Sequence, residues 1–243
     1  MGKKGPTRHM KRAMSPTFWP IHRKEYTWAV RPNPGAHGTK VSTPLLVLVR
    51  DFLGYAETAK EARRLINEGK VVVDGKVRRD SRYPVGLMDV IEVPAAEQVF
   101  RILPRHGKRF VLHPISKAES EFKLCRVTGK TTVNNGVTQL NLHDGRNILL
   151  EDGESYAIND IVRLEVPGQE ITDHVEFKPG IRVIITGGRS QGTKGILIGL
   201  GDERKSKRKA TVRTEANEDV RTLSKYVFGV GTDAPIVSLP EGE

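Results

Sequence analysis

The stretch Thr58-Ala-Lys-Glu-Ala-Arg-Arg-Leu-Ile-Asn-Glu-Gly69, followed by Lys70 and Val71-Val-Val-Asp-Gly75-Lys76, predicts a short helix, a stop and a hairpin. Thr58 with Glu61 three residues on forms a capping box, which satisfies two orphan N–H donors at the helix start. Ala62, Leu65 and Ile66 form an apolar face. Lys60, Arg63, Arg64 and Asn67 recur at i, i+3, i+4 and i+7 on the other side. Gly69 ends the helix, and Asp74-Gly75 is a tight-turn pair between Val71–Val73 and Lys76–Arg78. Upstream, Thr43-Pro44-Leu45 predicts an earlier helix with Thr43 as N-cap and Pro44 at the first helical position. Leu45, Leu48, Val49 and Phe52 give that helix one apolar stripe, and Gly54 stops it. A strand from Asp89 to Val93 closes the unit.

This arrangement brings Lys60, Arg63, Arg64, Lys70, Lys76, Arg78 and Arg79 within reach of one surface. Most charge runs are merely solvated faces. Here Glu57, Glu61 and Glu68 are too few to neutralise the stripe, and Asp74 is used in the turn. The residues from Thr58 to Lys76 resemble the small RNA-binding module named after ribosomal protein S4, which also occurs in pseudouridine synthases and some tRNA synthetases.

The 243 residues suffice for two or three small domains. Forty Lys and Arg against 29 acids give a net charge of +11, which points to a polyanionic partner. By charge alone chromatin, an anionic membrane surface and RNA all qualify. Cys125 is the sole cysteine, so an intrachain disulfide is excluded and a reducing cytosol is expected. No apolar run approaches the roughly 20 residues of a membrane span. The chain lacks the apolar core of a signal peptide and is expected to stay inside the cell.

Residues 1–42 look like no globular domain. Nine cations (Lys3, Lys4, Arg8, Lys11, Arg12, Arg23, Lys24, Arg31, Lys40) face one acid, Glu25, and five prolines deny long helices. Composition alone suits a disordered tail. Such tails are poor in aromatics, however, and this segment holds Phe18, Trp19, Tyr26 and Trp28, including both tryptophans of the chain. Cations for phosphate and rings for unpaired bases suit an extension that orders on RNA.

Beyond residue 97 the pattern is β. Strands are expected at Gln98–Leu103, Lys108–His113, Phe122–Val127, Thr138–Leu142, Asn147–Leu150 and Asp160–Val166, with turns at Asn134–Gly136, Asp144-Gly145 and Asp152-Gly153. This suggests a small barrel or sandwich of mixed charge that acts as a spacer. A third domain begins near Asp173: strand Ile181–Thr186, a glycine loop over Gly187–Gly195, then Ile196–Leu200. These residues resemble a KOW motif of SH3-like barrels, whose glycines permit close approach to RNA or protein, with Arg189 and Lys194 at the tip. A basic loop (Arg204, Lys205, Lys207, Arg208, Lys209), strands Ala210–Thr214 and Val220–Val230, and a loose acidic tail from Asp233 complete the chain.

Enzyme motifs fail on context. Gly188-Arg-Ser-Gln-Gly192 spells a nucleophile elbow, yet no helix follows Ser190 and the last histidine, His174, precedes it. A P-loop reading fails because Gly192-Thr-Lys194 has the wrong order. The seven histidines show no i, i+3 or i+4 pair, so no metal site is expected. Cys125 is expected to be a small buried apolar residue.

The order of segments resembles one family throughout, the archaeal and eukaryotic small-subunit ribosomal protein S4e. Gly5-Pro-Thr-Arg-His-Met-Lys-Arg12, Phe18-Trp19-Pro20 and Gly35-Ala-His-Gly38 carry the likeness outside the shared modules. It implies an α+β, mostly β fold divided as follows: extension 1–42, S4-type module of two helices plus a small sheet 43–97, central β domain 98–172, KOW SH3-like barrel 173–232 and acidic tail 233–243. It implies a non-enzymatic component of the small ribosomal subunit in the cytoplasm, without cofactor, metal, membrane or small-molecule substrate. Its partners would be small-subunit ribosomal RNA and neighbouring ribosomal proteins. By position the RNA contacts would be Lys60, Arg63, Arg64, Lys70 and Lys76 on the module, Arg189 and Lys194 at the KOW tip, and Lys11, Arg12, Trp19 and Arg23 in the extension.

Overall fold

The computed structural model describes residues 9–133, 136–150, 155–201 and 209–240. Strands β1 (Met10–Lys11) and β2 (Trp28–Ala29) form an antiparallel ribbon. β3 (Thr43–Pro44) leads into helix α1 (Leu45–Val47), which widens into a π-turn over Leu48–Phe52, and α2 spans Ala59–Asn67. The first five-stranded sheet follows: β4 (Val72–Val73), β5 (Lys76–Val77), β7 (Val90–Val93), β8 (Gln98–Arg105) and β9 (Lys108–Pro114), in the order β5-β4-β7-β8-β9. The short β6 (Pro84–Val85) pairs with β3. This sheet continues across residue 97, because β8 pairs with β7 from Val93↔Gln98 to Val90↔Arg101.

After a single turn, α3 (Lys117–Ser120), the second sheet comprises β10 (Phe122–Thr132), β11 (Thr138–Leu142), β12 (Asn147–Leu150), β13 (Ile161–Glu165) and β14 (Ile171–Val175), in the order β12-β11-β10-β13-β14. The third is built from β15 (Arg182–Ile185), β16 (Lys194–Leu200), β17 (Lys209–Thr214), β18 (Asp219–Leu223) and β19 (Val227–Gly231), in the order β18-β17-β16-β15-β19. All the pairings are antiparallel. No helix among the described residues is long and apolar enough to cross a membrane.

The expected capping box is present: the Thr58 hydroxyl accepts from the Glu61 amide, and the Glu61 carboxylate accepts from the Thr58 amide. The Asp74-Gly75 turn also forms, with φ of +49° and +68°, both left-handed as a type I′ hairpin turn requires. The first helix differs from expectation. Thr43 pairs in a strand, Pro44 is the N-cap and the helix begins at Leu45. The Leu45 and Leu46 amides donate to the Tyr83 and Ser81 carbonyls, so a neighbouring loop serves the helix start where a side-chain cap was expected. The stripe is also wider, with Leu46 and Val47 buried alongside Leu45, Leu48 and Val49. A helix apolar all round needs cover on every side.

Part of that cover is the N-terminal segment, which corrects the expectation of a segment outside the globular fold. Trp19 is 2 % exposed and its indole N–H donates to the Ser42 carbonyl at 2.9 Å. Phe18 meets Phe110 edge-on, and Val30 packs on the α1–α2 core. The acidic tail is likewise not loose over its described part. Val237 is buried with Ile236 and Leu239 against the third sheet's core, and the Ile236 amide donates to Val230. β14 was not foreseen; its edge position and the Thr172-Asp-His174 run leave it little apolar signal.

The core joins the sheets. Met88 and Leu103 of the first sheet region, Leu124 and Ile161 of the second, and Phe228 of the third bury into one cluster. β10 is covered on both faces, since Leu124 enters that cluster while Cys125 and Val127 enter another.

Candidate nucleic-acid interface

The polar face of α2 stands in solvent, with Lys60, Arg63, Arg64 and Asn67 all exposed. Lys76 and Arg79 are exposed on the hairpin side, and the Arg79 guanidinium lies over Gly69, whose ideal Cβ position is 3.6 Å from Arg79 Nε. The helix end and the hairpin therefore present one continuous basic surface. One acid intrudes on it. Glu68 accepts from Arg64 Nε at 2.8 Å and lies 2.7 Å from Lys70 Nζ, so it offsets part of the stripe's charge without neutralising it. These two cations hold the exposed Glu68 carboxyl below its usual range.

Arg78 is half-buried with its guanidinium 4.4 Å above the Tyr83 ring, a stacking role within the fold. Burial, foremost, pushes the Tyr83 phenol up. In the extension Lys11, Arg23, Lys24 and Lys40 are exposed. Arg12 and Trp19 are not available as surface contacts. The Arg12 guanidinium donates to Ser15 and to the Ile21 carbonyl and is 6 % exposed, so it closes a loop of its own segment. Arg189 is exposed, Lys194 is half-buried in β16 and Lys209 is exposed at the start of β17. Lys3, Lys4, Arg8, Arg204, Lys205, Lys207 and Arg208 lie outside the described residues, as do the turn pairs Asn134-Asn135 and Asp152-Gly153.

The close approach in the glycine loop is internal. Gly192 has φ +84°, and a Cβ there would collide with the backbone of Arg105 and His106 at the β8–β9 turn. The loop is thereby seated on the first sheet's hairpin. Ser190 in this loop has neither the helix nor the following histidine that a nucleophile elbow needs.

A second set of charges escaped sequence reasoning altogether. Lys123, fully buried, places Nζ 3.0 Å from both Asp74 Oδ2 and Asp144 Oδ2 and also pairs with Asp89. Arg146 bridges Asp74 at 2.7 Å and Asp144 at 3.1 Å. His37 Nε2 lies 3.0 Å from Asp89, so it must donate to that carboxylate. The Asp89 and Asp74 carboxylates also accept from the Gly86 and Val90 amides. Burial alone would raise Asp89, but His37 and Lys123 outweigh it and hold it well below the carboxylate range. Asp144, against the same burial, is held down to about 2 by Lys123 above all. Burial disfavours charge on Lys123, yet Asp74 and Asp89 overcome this and its pKa lies well above the ordinary value. The cluster ties the extension (His37) to the first sheet region (Asp74, Asp89) and the second (Lys123, Asp144, Arg146).

Cys125, His143 and Asp144 bring one ligand atom each within 4.8 Å of one another. Their chemistry is committed elsewhere. His143 Nδ1 accepts from the Arg126 amide and Nε2 meets the Leu87 carbonyl, while Asp144 binds the two cations. Burial pushes the Cys125 thiol well up, so it stays protonated, whereas a metal needs thiolate. Asp144 already has Lys123 Nζ as a cation partner, at 3.0 Å.

Three family profiles match the chain: RS4NT domain over residues 4–40, S4 domain over 43–91 and Ribosomal family S4e over 96–171. A small ribosomal subunit protein eS4 from Aeropyrum pernix is 46 % identical over 250 residues, spanning all of this chain and 99 % of its own. The eS4 protein of Methanothermobacter thermautotrophicus is 44 % identical over 237 residues, 97 % of each chain. The crystal structure of ribosomal protein S4e from Thermoplasma acidophilum superposes with a TM-score of 0.68 at 28 % identity, covering 79 % of this chain and 96 % of that one. Matches of this extent, running through the extension, the helical module and the β region alike, place the chain in the small ribosomal subunit protein eS4 family.

Proposed function

We propose that this protein is a structural, non-catalytic component of the small ribosomal subunit in the cytoplasm, where it binds ribosomal RNA and neighbouring ribosomal proteins. Support comes from the names its relatives carry and from the exposed surface of Lys60, Arg63, Arg64, Lys76 and Arg79 on the S4 domain. That surface is the single observation that carries RNA binding: cations held in water at the end of a folded module suit phosphate neutralisation. Exposed Lys11, Arg23, Lys24, Lys40, Arg189 and Lys209 extend the contact. The third sheet, with its glycine loop, serves as a KOW SH3-like barrel, while the S4-type unit runs past the boundary expected at residue 97 to the end of β9, because β8 and β9 belong to its sheet. Arg78 contributes through its stacked edge, Lys70 once released from Glu68, and Lys194 at the loop base.

The test is a titration of the full chain with small-subunit ribosomal RNA at several salt concentrations. Each phosphate contact lowers log K by roughly 0.7–0.9 per decade of salt, so several contacts give a steep slope. A flat slope, or failure to co-sediment with small subunits, overturns the reading.

A further inference from the structure

The two tryptophans of the extension are used in opposite ways. Trp19 is sealed inside, while Trp28 is 57 % and Tyr26 58 % exposed. In the ribbon Lys11 pairs directly with Trp28, and directly opposed residues share a face, so an ammonium stands beside the exposed indole. The His9 ring tilts onto the Trp28 ring at 5.7 Å, and Met10 is buried under the other face. The ribbon is thus anchored from below and presents its aromatics outward.

Across from this wall stands the flank of α2. Between them lies a cleft of about 990 Å³, whose lining includes Tyr26, Trp28, Arg31, Arg50, Arg63 and Arg82, with Glu25 and Glu57 as its acids. Arg50 is paired with Asp51, and Arg82 Nε donates to the Arg31 carbonyl at 2.8 Å. The Arg31 and Arg63 side chains have no hydrogen-bond or ion-pair partner among the described residues. The cleft therefore combines exposed π-faces with uncommitted guanidinium groups, and its volume is at the top of the roughly 300–1,000 Å³ usual for ligand clefts.

We infer that this cleft seats an unpaired nucleotide of the bound RNA, its base stacked on Trp28, an adjoining base on Tyr26, and its phosphate held by Arg63 and Arg31. The inference rests on the RNA-binding reading above and specifies what is bound there. A duplex hides the faces of its bases, whereas a splayed nucleotide offers one face to an aromatic ring and its phosphate to a cation. Trp28 gives the cleft its selectivity for single-stranded RNA, and the arginines give it affinity for any RNA.

The experiment titrates the full chain with a single-stranded oligoribonucleotide and with an RNA duplex of equal phosphate number, following tryptophan fluorescence. Trp19 is out of reach, so quenching by the single strand reports Trp28 and is expected to vanish in Trp28→Ala and Trp28→Phe. Stacking on one aromatic ring is worth roughly 5- to 150-fold in affinity, so Trp28→Ala weakens single-strand binding by at least about fivefold. It leaves the salt slope unchanged, because no cation is lost. Trp28→Phe retains most of the affinity, since a ring remains. Tyr26→Ala, at a separate exposed position, weakens the single strand by a smaller factor and serves if Trp28→Ala melts early. Parental single-strand affinity in both alanine variants overturns the cleft assignment while leaving RNA binding standing. Loss of subunit incorporation at parental RNA affinity overturns it too, since the cleft then seats a protein. If the parent binds neither RNA, the RNA-binding reading itself falls.

Discussion

Arg63 and Arg64 on α2, and Lys123 in β10, are cations of one chain put to opposite uses. The first two project into water, where a single ion pair at 4 Å is worth only about 1 kcal/mol before entropy and salt reduce it. Lys123 is wholly buried among Asp74, Asp89 and Asp144, where attraction is strong but each charge has lost its hydration. The surface set does little for folding and stays accessible to phosphate. The buried set is spent on joining segments and can meet nothing. A net charge of +11 sums both and distinguishes neither. Arg101 makes the same point: it is fully buried, 3.4 Å from Glu119, and burial above all depresses its pKa.

The difference is tested most severely at Lys123. Lys123→Met keeps the stem's volume but removes the cation shared by three carboxylates, leaving Asp74 and Asp144 to Arg146 and Asp89 to His37. Removing one partner of a buried ion pair costs about 3–5 kcal/mol, a large fraction of the 5–15 kcal/mol that holds a typical domain. Urea unfolding should show that loss, and adding Asp74→Asn and Asp89→Asn should recover part of it. If Lys123→Met unfolds at the parent's midpoint, the network contributes nothing and the contrast fails.

Acid probes the same cluster without mutation. Asp144 is held at about 2 against an ordinary 3.8, and Asp89 lies lower still. Folded values below the unfolded ones mean that this stability is complete above about pH 4 and is lost as pH falls through the folded values. His143, kept neutral by burial and then by Lys123, is pushed down to about 3 from 6.5. The unfolded chain binds that proton first, so its share erodes from about pH 6.5 downward. The melting temperature should therefore decline from pH 6.5 towards 3, and a constant value from pH 7 to 4 contradicts the assignment.

What the sequence made legible was local. The capping box, the glycine stop and the Asp-Gly turn each depend on residues within four positions, and each was read correctly. The basic stripe was legible because helix periodicity alone sets which side chains share a face. The ion cluster was not, because Lys123 and its three carboxylates are brought together from positions 74, 89 and 144 by the packing of two sheets. Lys123 did leave a trace, a cation in the otherwise buried run Lys123–Cys125, but nothing local names its partners. Trp19 and Trp28 were indistinguishable for the same reason. One has a carbonyl 23 residues away to hold its indole N–H, and the other has only the ribbon beneath it.

On the exposed side, Arg63→Glu with Arg64→Glu should abolish binding to small-subunit RNA at moderate salt. Melting should stay within about 2 °C of the parent, since exposed positions rarely move stability. Ile66→Ala on the buried face of the same helix should do the reverse, losing roughly 2–5 kcal/mol through a cavity while RNA affinity at a folding temperature persists. Thermal melts beside RNA titrations separate the two faces. Binding of the double variant at parental affinity would reduce the stripe to a solvated surface.

The smallest expected effect is the sharpest test of that stripe. Among the described residues Glu68 is the one acid paired with it, held by Arg64 at 2.8 Å and Lys70 at 2.7 Å. The pair partners are half or more exposed, so breaking them costs the fold little. If the surface exists to meet phosphate, Glu68 is a standing competitor for two of its cations. Glu68→Gln keeps size and hydrogen-bonding capacity but removes the competing charge. RNA affinity should then rise severalfold, and the slope of log K against log salt should steepen by up to about 0.9 as a freed cation reaches a phosphate. On a merely solvated face the same change does nothing to RNA binding and trims stability slightly. A gain of affinity on removal of a salt bridge is an outcome only an RNA-facing stripe produces.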